Sequence, residues 1–258
     1  IIKRDIEAYL ANKTAETKAV IPTIVTTPNV QTDSYEEIRV SQMRKVIARR
    51  LAESKYSAPH FYLTITLNMD KAMASRKAMN EFSPVKISFN DLVVKAAAMA
   101  LRQHSAVNSS WMGDTIRINK NINIGVAVGV DEGLLVPVLQ NADQKSLSEL
   151  SGETKAFVEK AKNKKLTTAE MSGNTFTISN LGMFGIDEFT AIINPPDACI
   201  MAVGGIKAVP AVVNGELSIA HQMKVTLSCD HRVVDGVVGA KFLQTFKGLI
   251  EDPLRMLV

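Results

Sequence analysis

Cysteine is close to missing from this chain: Cys199 and Cys229 are the only two, and both fall in apolar alternating runs. Thiols so placed read as small buried hydrophobes, which excludes a disulfide framework and favours a reducing compartment over secretion. Tryptophan occurs once and histidine four times, and no Cys/His spacing has the pattern of a zinc site. Long apolar runs are lacking too. The stretch Ile122 to Val130 is interrupted by Asn123 and is too short to span a bilayer. Neither a Walker loop nor a Gly-x-Gly-x-x-Gly turn opens a helix, which removes the usual routes to nucleoside-phosphate binding. The net charge is only +4, with Lys and Arg scattered rather than clustered among aromatics, so a nucleic-acid partner is unsupported. The first residues, Ile-Ile-Lys-Arg-Asp, carry neither an initiator Met nor an apolar signal core, the mark of a piece cut from something longer.

What the chain does have is apolar residues, 46% of the total, enough for one large domain, or one domain plus a tail. Ile2, Ile6 and Leu10 make one stripe of a short helix within 1–11. Residues 12–35 have no periodicity, and Pro22 and Pro28 favour extended backbone, so this stretch reads as a linker. The folded domain is expected over 36–258. Ser41 caps a helix with Met43, Val46, Ile47 and Leu51 on its apolar face; a strand follows from His60 to Asp70, then a helix carrying Arg76 and Lys77. Asn90 or Asp91 is expected to cap a long helix whose Ala96, Ala97, Ala98 and Ala100 suit close packing on a sheet.

Further along, Ile122 to Val130 alternates as one strand, and Leu134 to Leu139 continues the sheet with Pro137 at an edge or bulge. Ser146 and Glu149 fit a capping box. Strands recur at 175–181, 198–206 and 207–213, and Asn214-Gly215 turns into a strand at 216–220. Helices interleaved with hairpin-linked strands give an α/β two-layer sandwich with a mixed sheet.

Chemistry concentrates in Val225 to Gly236. Val225, Leu227 and Cys229 alternate with Thr226, Ser228 and Asp230 as a strand that ends at His231, and Asp235-Gly236 closes the turn before an apolar helix. A histidine held by strand backbone suits a general base, whose ring must stand within reach of the proton it removes. A core histidine satisfied by local hydrogen bonds is the competing reading.

The His-x-x-x-Asp-Gly of His231 to Gly236 follows a Ser-x-Asp strand. With Thr175-Phe-Thr-Ile-Ser-Asn-Leu-Gly-Met-Phe-Gly185 and Ile192-Ile-Asn-Pro-Pro196, it resembles the dihydrolipoamide acyltransferases, the core subunits of 2-oxo acid dehydrogenase complexes. The likeness runs from about Glu36 to the end and is greatest to the acetyl-transferring branch of the pyruvate dehydrogenase complex; succinyl and branched-chain branches are the alternatives. It implies a chloramphenicol-acetyltransferase-like fold. It also implies transfer of acetyl between a dihydrolipoyl thiol and coenzyme A, without a metal. The lipoyl group would be carried on a domain absent from this chain. Implied partners are two further copies in a trimer, a cubic or dodecahedral shell, the lipoyl domain, the decarboxylase and the dihydrolipoamide dehydrogenase, in a bacterial cytoplasm or mitochondrial matrix. Residues 1–11 resemble the end of a peripheral-subunit-binding domain.

The resemblance assigns His231 as base and Ser179 as oxyanion donor. Asp235 would pair with an arginine, for which Arg50 is the candidate. Arg76, with Lys77 beside it, Ser88, Asn180 and Gly204 fall at coenzyme A positions. Met183 and Phe184 are candidates for lining the thiol channel. Each has a plainer reading: Ser179 as a turn hydroxyl, Asp235 as a solvated turn residue, Arg76 as an exposed helix charge, Met183 and Phe184 as apolar core. A scaffold-only core and a serine hydrolase are the competing functions; the hydrolase is weakened because Ser179 lacks the Gly-x-Ser-x-Gly elbow.

Overall fold

Alternation, more than continuous apolar runs, builds the central sheet. The computed structural model describes residues 3–15, 35–131, 133–213 and 215–257. Most of the expected 12–35 linker, and the Asn214 half of the expected turn, lie outside them. The chain divides into two units, Ile1–Arg39 and Val40–Val258. In the first, helix α1 (Lys3–Ala15) runs further than the expected 1–11, with Ile6 and Leu10 exposed.

The second unit opens with α2 (Gln42–Ser57), capped by the Ser41 hydroxyl, which accepts from the Arg44 N–H. Its expected apolar face is not covered: Met43, Val46 and Leu51 are exposed. Strand β1 (His60–Asn68) leads to α3 (Asp70–Phe82) and α4 (Phe89–Gln103). The cap of α4 is Ser88, not Asn90 or Asp91: its hydroxyl accepts from the Asp91 N–H, and the Asp91 carboxylate accepts from the Ser88 N–H. Asp91 thus supplies the reciprocal half of a capping box one turn in. Ala96, Ala97, Ala98 and Ala100 are fully buried in the core that the sheet shares.

Two short ladders flank the sheet. Strands β2 (Ser109–Trp111) and β3 (Ile116–Ile118) pair with each other. The expected single strand Ile122 to Val130 is two: β4 (Ile124–Val126) stays in the main sheet, while β5 (Val128–Val130) leaves to pair with β6 (Gly133–Leu135). The break lies opposite Pro137, whose carbonyl accepts from Val126 but which has no N–H to return. Strand β7 (Val138–Leu139) then closes the edge, and α5 (Leu147–Lys162) starts at the Ser146–Glu149 capping box.

After β8 (Phe176–Asn180), β9 (Cys199–Val203) and β10 (Lys207–Val213) comes β11 (Glu216–Asp230), and α6 (Gly236–Glu251) completes the unit. The two strands expected at 216–220 and from Val225 are one, because β10 and β1 pair with successive halves of it, joined at Gln222. The sheet order is β1-β11-β9-β8-β4-β7, parallel at β9-β8-β4 and antiparallel elsewhere.

A period of two gives this sheet two unlike faces. Phe176, Ile178, Cys199, Met201, Val225, Leu227 and Cys229 join α4 and α6 in the apolar core. Gly239 lets α6 approach closely, since a Cβ there would stand 2.7 Å from Leu63 Cδ1. The other face carries Thr177 and Ser179 of β8, Thr226, Ser228 and Asp230 of β11, and His60, Tyr62 and Thr64 of β1. That polar face is where the chemistry lies.

Candidate active site

His231 follows the last residue of β11 and is held through its neighbours. Its N–H donates to Pro59 O at 2.9 Å, and its ring centroid lies 4.6 Å from that of Phe61. Asp230 is buried and takes the Arg232 guanidinium in a two-pronged pair, Nε to Oδ1 at 3.0 Å and a terminal nitrogen to Oδ2 at 2.7 Å. Arg232 in turn lies 5.0 Å over the Trp111 ring. The residues on either side of His231 are thereby locked while its own side chain stays 53% exposed, open to a substrate. The core-histidine reading does not survive that exposure.

Asp235 stands at the N-terminus of α6 with its side chain 80% exposed, and its Oδ1 is 3.9 Å from His231 Nδ1. That is too far for a hydrogen bond but close enough for attraction to an imidazolium. Arg50 is not its partner, contrary to expectation. The Arg50 guanidinium reaches the Pro195 carbonyl at 3.5 Å instead.

Ser179 lies next to the end of β8, half-buried, and its hydroxyl has no hydrogen-bond partner among the described residues. The turn-hydroxyl reading therefore finds no bond to support it. The next residue begins a continuous chain of contacts. Asn180 Oδ1 accepts from the Gly182 N–H at 2.9 Å, and Asn180 Nδ2 donates to Asn90 Oδ1 at 3.2 Å. Gly182 packs on Gly204, where a Cβ on Gly182 would lie 2.6 Å from the Gly204 carbonyl oxygen. Beside Asn90, Arg76 stacks 4.3 Å over the Phe89 ring and donates to Ile87 O at 3.2 Å. Its Nε is buried without a partner. Ser88 donates to Asp91 Oδ2 at 2.8 Å, so its hydroxyl keeps an acceptor position and no donor. Arg76, Ser88, Asn180 and Gly204 are thus brought together beside Ser179. Lys77 is exposed on α3. Met183 and Phe184 are exposed too, not core.

The two halves are far apart. Ser179 pairs laterally with Ala202 and Ala202 with Thr226, while His231 lies five residues beyond Thr226 along β11. Strand spacing and rise place the two residues roughly 19 Å apart within one chain.

Between the ends, the polar face buries a network that periodicity did not single out. Asp197 accepts from Thr177 Oγ1 at 2.6 Å and Asn174 Nδ2 at 2.8 Å, both on Oδ2, while its Oδ1 has no partner. Burial lifts its carboxyl to about 7 against the pull of those two donors. His60 was also missed. Its Nδ1 faces Ala58 O at 2.8 Å and its Nε2 faces the Ile193 N–H at 3.1 Å. A carbonyl only accepts and an amide N–H only donates, so Nδ1 carries the hydrogen and Nε2 the lone pair. His60 is thus occupied on both sides, and of these two histidines only His231 has a ring free to exchange a proton. The one available signal was that His60 directly precedes Phe61 in an alternating strand.

Among the described residues no three His, Cys, Asp or Glu side chains gather as a metal site, and no helix is long and apolar enough to cross a membrane. A histidine just past one strand end and a serine on another strand are groups that acyl transfer can use as base and as oxyanion donor. The chain belongs to the family described as 2-oxoacid dehydrogenases acyltransferase (catalytic domain), whose pattern matches residues 32–258.

It is 46% identical over 262 residues to the dihydrolipoyllysine-residue acetyltransferase component of the pyruvate dehydrogenase complex of Rickettsia conorii, covering all of this chain and 61% of that one. The curated relatives it matches come from bacteria and from mitochondria, and the chain spans between 49% and 62% of their length. Among solved structures, the cubic core of the pyruvate dehydrogenase multienzyme complex aligns with a TM-score of 0.84 at 32% identity, over 92% of this chain and all of that one. Azotobacter vinelandii dihydrolipoamide acetyltransferase, solved to probe a serine, a histidine and an asparagine in its catalytic mechanism, gives 0.84 at 33% identity over the same shares. Chloramphenicol acetyltransferase, 10% identical, shares the fold with a TM-score of 0.53 over 83% of this chain and 99% of that one.

Proposed function

We propose that this chain transfers an acetyl group between a dihydrolipoyl thiol and coenzyme A, and that its site forms between two copies, with Ser179 from one and His231 from the next. The observation that carries the reading is the open pair: an unpartnered hydroxyl on a strand and an exposed imidazole held just past a strand end, about 19 Å apart within one chain but free to meet across an interface. The serine, histidine and asparagine probed in the Azotobacter enzyme have the sequence spacing of Ser179, His231 and Asp235, with an aspartate here in the place of the asparagine.

His231 takes the proton of the attacking thiol, whose ordinary pKa of about 8.5 is near enough to an imidazole's for the transfer to cost little. The thiolate adds to the acetyl carbonyl, and the Ser179 hydroxyl donates to the oxyanion that forms. One such donor contributes about 2.7–4 kcal/mol to the transition state. As the intermediate collapses, His231 returns the proton to the leaving sulfur. Asp235 steadies the imidazolium electrostatically at 3.9 Å. Arg76 supplies its remaining N–H groups to coenzyme A phosphate, and the Asn180–Gly204 contacts shape the neighbouring wall.

In this reading 36–258 is the catalytic domain, α1 the end of a subunit-binding domain, and the stretch between them a linker that starts after Ala15 rather than at 12. The copies form trimers within a larger core that receives a lipoyl domain and binds the decarboxylase and dihydrolipoamide dehydrogenase. The test is acyl transfer to dihydrolipoamide from acetyl-, succinyl- and isobutyryl-coenzyme A. Acetyl transfer fastest is the expected result; no transfer from any of the three overturns the reading.

A further inference from the structure

The segment from Ala191 to Pro195 is neither helix nor strand, yet side chains from elsewhere in the fold satisfy its backbone. Ser228 Oγ donates to Ala191 O at 2.7 Å, Ser54 Oγ to Ile193 O at 2.6 Å, and Arg50 to Pro195 O at 3.5 Å. The Ile193 N–H goes to His60 Nε2 at 3.1 Å. Four side chains from α2, β1 and β11 hold one short stretch of chain, and the β8 hydroxyl of Thr177 meets its Asn194 Nδ2 at 3.4 Å. Such investment in an irregular segment calls for a reason beyond satisfying its own polar groups, which water at a surface would do.

His60 occupies a special position among these ties. The residue before it, Pro59, accepts the His231 N–H, and the residue after it, Phe61, packs on the His231 ring. Ala58 to Phe61 is therefore the seat of His231. The His60 ring clamps that seat at two points, to Ala58 O through Nδ1–H and to Ile193 through Nε2.

We infer that His60 is a positioning residue for the transfer: it takes no proton from substrate, but fixes the seat on which His231 stands. The inference rests on the reading of His231 as base. Loosening the seat lets the imidazole drift from the line to the thiol, and a misplacement of about 1 Å costs about 10²-fold in rate. His60 touches none of the coenzyme A residues of its own chain, which gather beside Ser179 at the other end of the sheet, so the effect falls on the placement of His231 rather than on coenzyme A binding.

The test uses the full chain in its native assembly, with kcat and KM measured for acetyl transfer in the His60→Phe, His60→Gln and His60→Asn variants. His60→Phe should lose about 10²-fold in kcat with the KM for coenzyme A unchanged. His60→Gln, whose longer side chain can present an acceptor to Ile193, should recover most of the loss. His60→Asn keeps a donor for Ala58 but falls short of Ile193, and should recover less. Wild-type kcat in His60→Phe, or equal rates for the Gln and Asn variants, overturns the inference. If the Phe variant does not assemble, the Gln and Asn pair decides alone. If the wild type itself transfers no acetyl group, the reading of His231 falls first and this inference with it.

Discussion

Asp230 and Arg232 grip each other across His231, two short contacts fixing the residues on either side of the histidine while its ring remains free. A turn explains this: the chain leaves the strand at Asp230, whose carbonyl accepts from the Val233 and Val234 N–H groups and whose Oδ1 accepts from the Arg232 N–H at 3.0 Å. Arg232→Ala leaves a buried carboxylate unpaired and should destabilise the fold by about 2–3 kcal/mol. Arg232→Lys keeps the charge but loses the fork, so the fold should hold while kcat falls. Thermal melts and steady-state rates on both variants check this; a Lys variant with wild-type kcat would show that the fork does not position His231.

Asp197 makes stability depend on pH in an unusual direction. Its carboxyl rises from 3.8 to about 7 through burial, so the folded protein holds this proton more tightly than the unfolded chain does. Stability from this group is therefore present at low pH and lost as pH rises from about 3.8 toward 7. Asp197→Asn keeps the acceptor for Thr177 and Asn174 without the charge. It should raise Tm at pH 7.5 more than at pH 5, and calorimetry at both values reads the difference. An equal change at the two pH values contradicts the assignment.

Gly204 should tolerate no side chain. A Cβ there would lie 1.9 Å from the Asp187 carbonyl oxygen, a backbone atom that cannot swing aside as a flexible side chain can. Gly204→Ala is expected to cost at least about 1–3 kcal/mol and to disturb the Gly182 turn beside Ser179. Urea unfolding measures the cost; a wild-type midpoint would mean that Asp187 moves freely.

Arg76 offers a separation of binding from chemistry. Arg76→Ala should raise KM for coenzyme A and affect 3′-dephospho-coenzyme A much less, because the guanidinium is assigned to phosphate. Equal losses with both would place its role in the Phe89 stack and the Ile87 contact.

Much of this was legible in the sequence. The alternation of β8 and β11, the Ser146 capping box and the strand-end position of His231 are local, and local patterns survive folding. The rest depends on register. Nothing near Ser179 or His231 says that two strand spacings and five residues separate them, because distance in a sheet follows from which strands are neighbours. The Ser88 cap was hidden behind two equally good capping residues. The split at Ala127 depends on Pro137 lying opposite. His60 and Asp197 have little local signature, since the Ile193 partner of His60 lies 133 residues away and the Thr177 partner of Asp197 lies 20 away.

The shared site is the central claim, and mixing tests it. Ser179→Ala and His231→Ala subunits should each be impaired alone, the first by about 10²–10³-fold and the second by about 10²–10⁴-fold. Co-refolded in equal amounts, any mixed ring of three contains one junction where an intact Ser179 meets an intact His231, because the contacts run head to tail. Random mixing should then restore about a quarter of the wild-type rate. The decisive measurement is that rate, with native mass spectrometry counting the mixed trimers. Recovery near a quarter is the expected result; mixed trimers no more active than the average of the two parents would place the whole site within one chain.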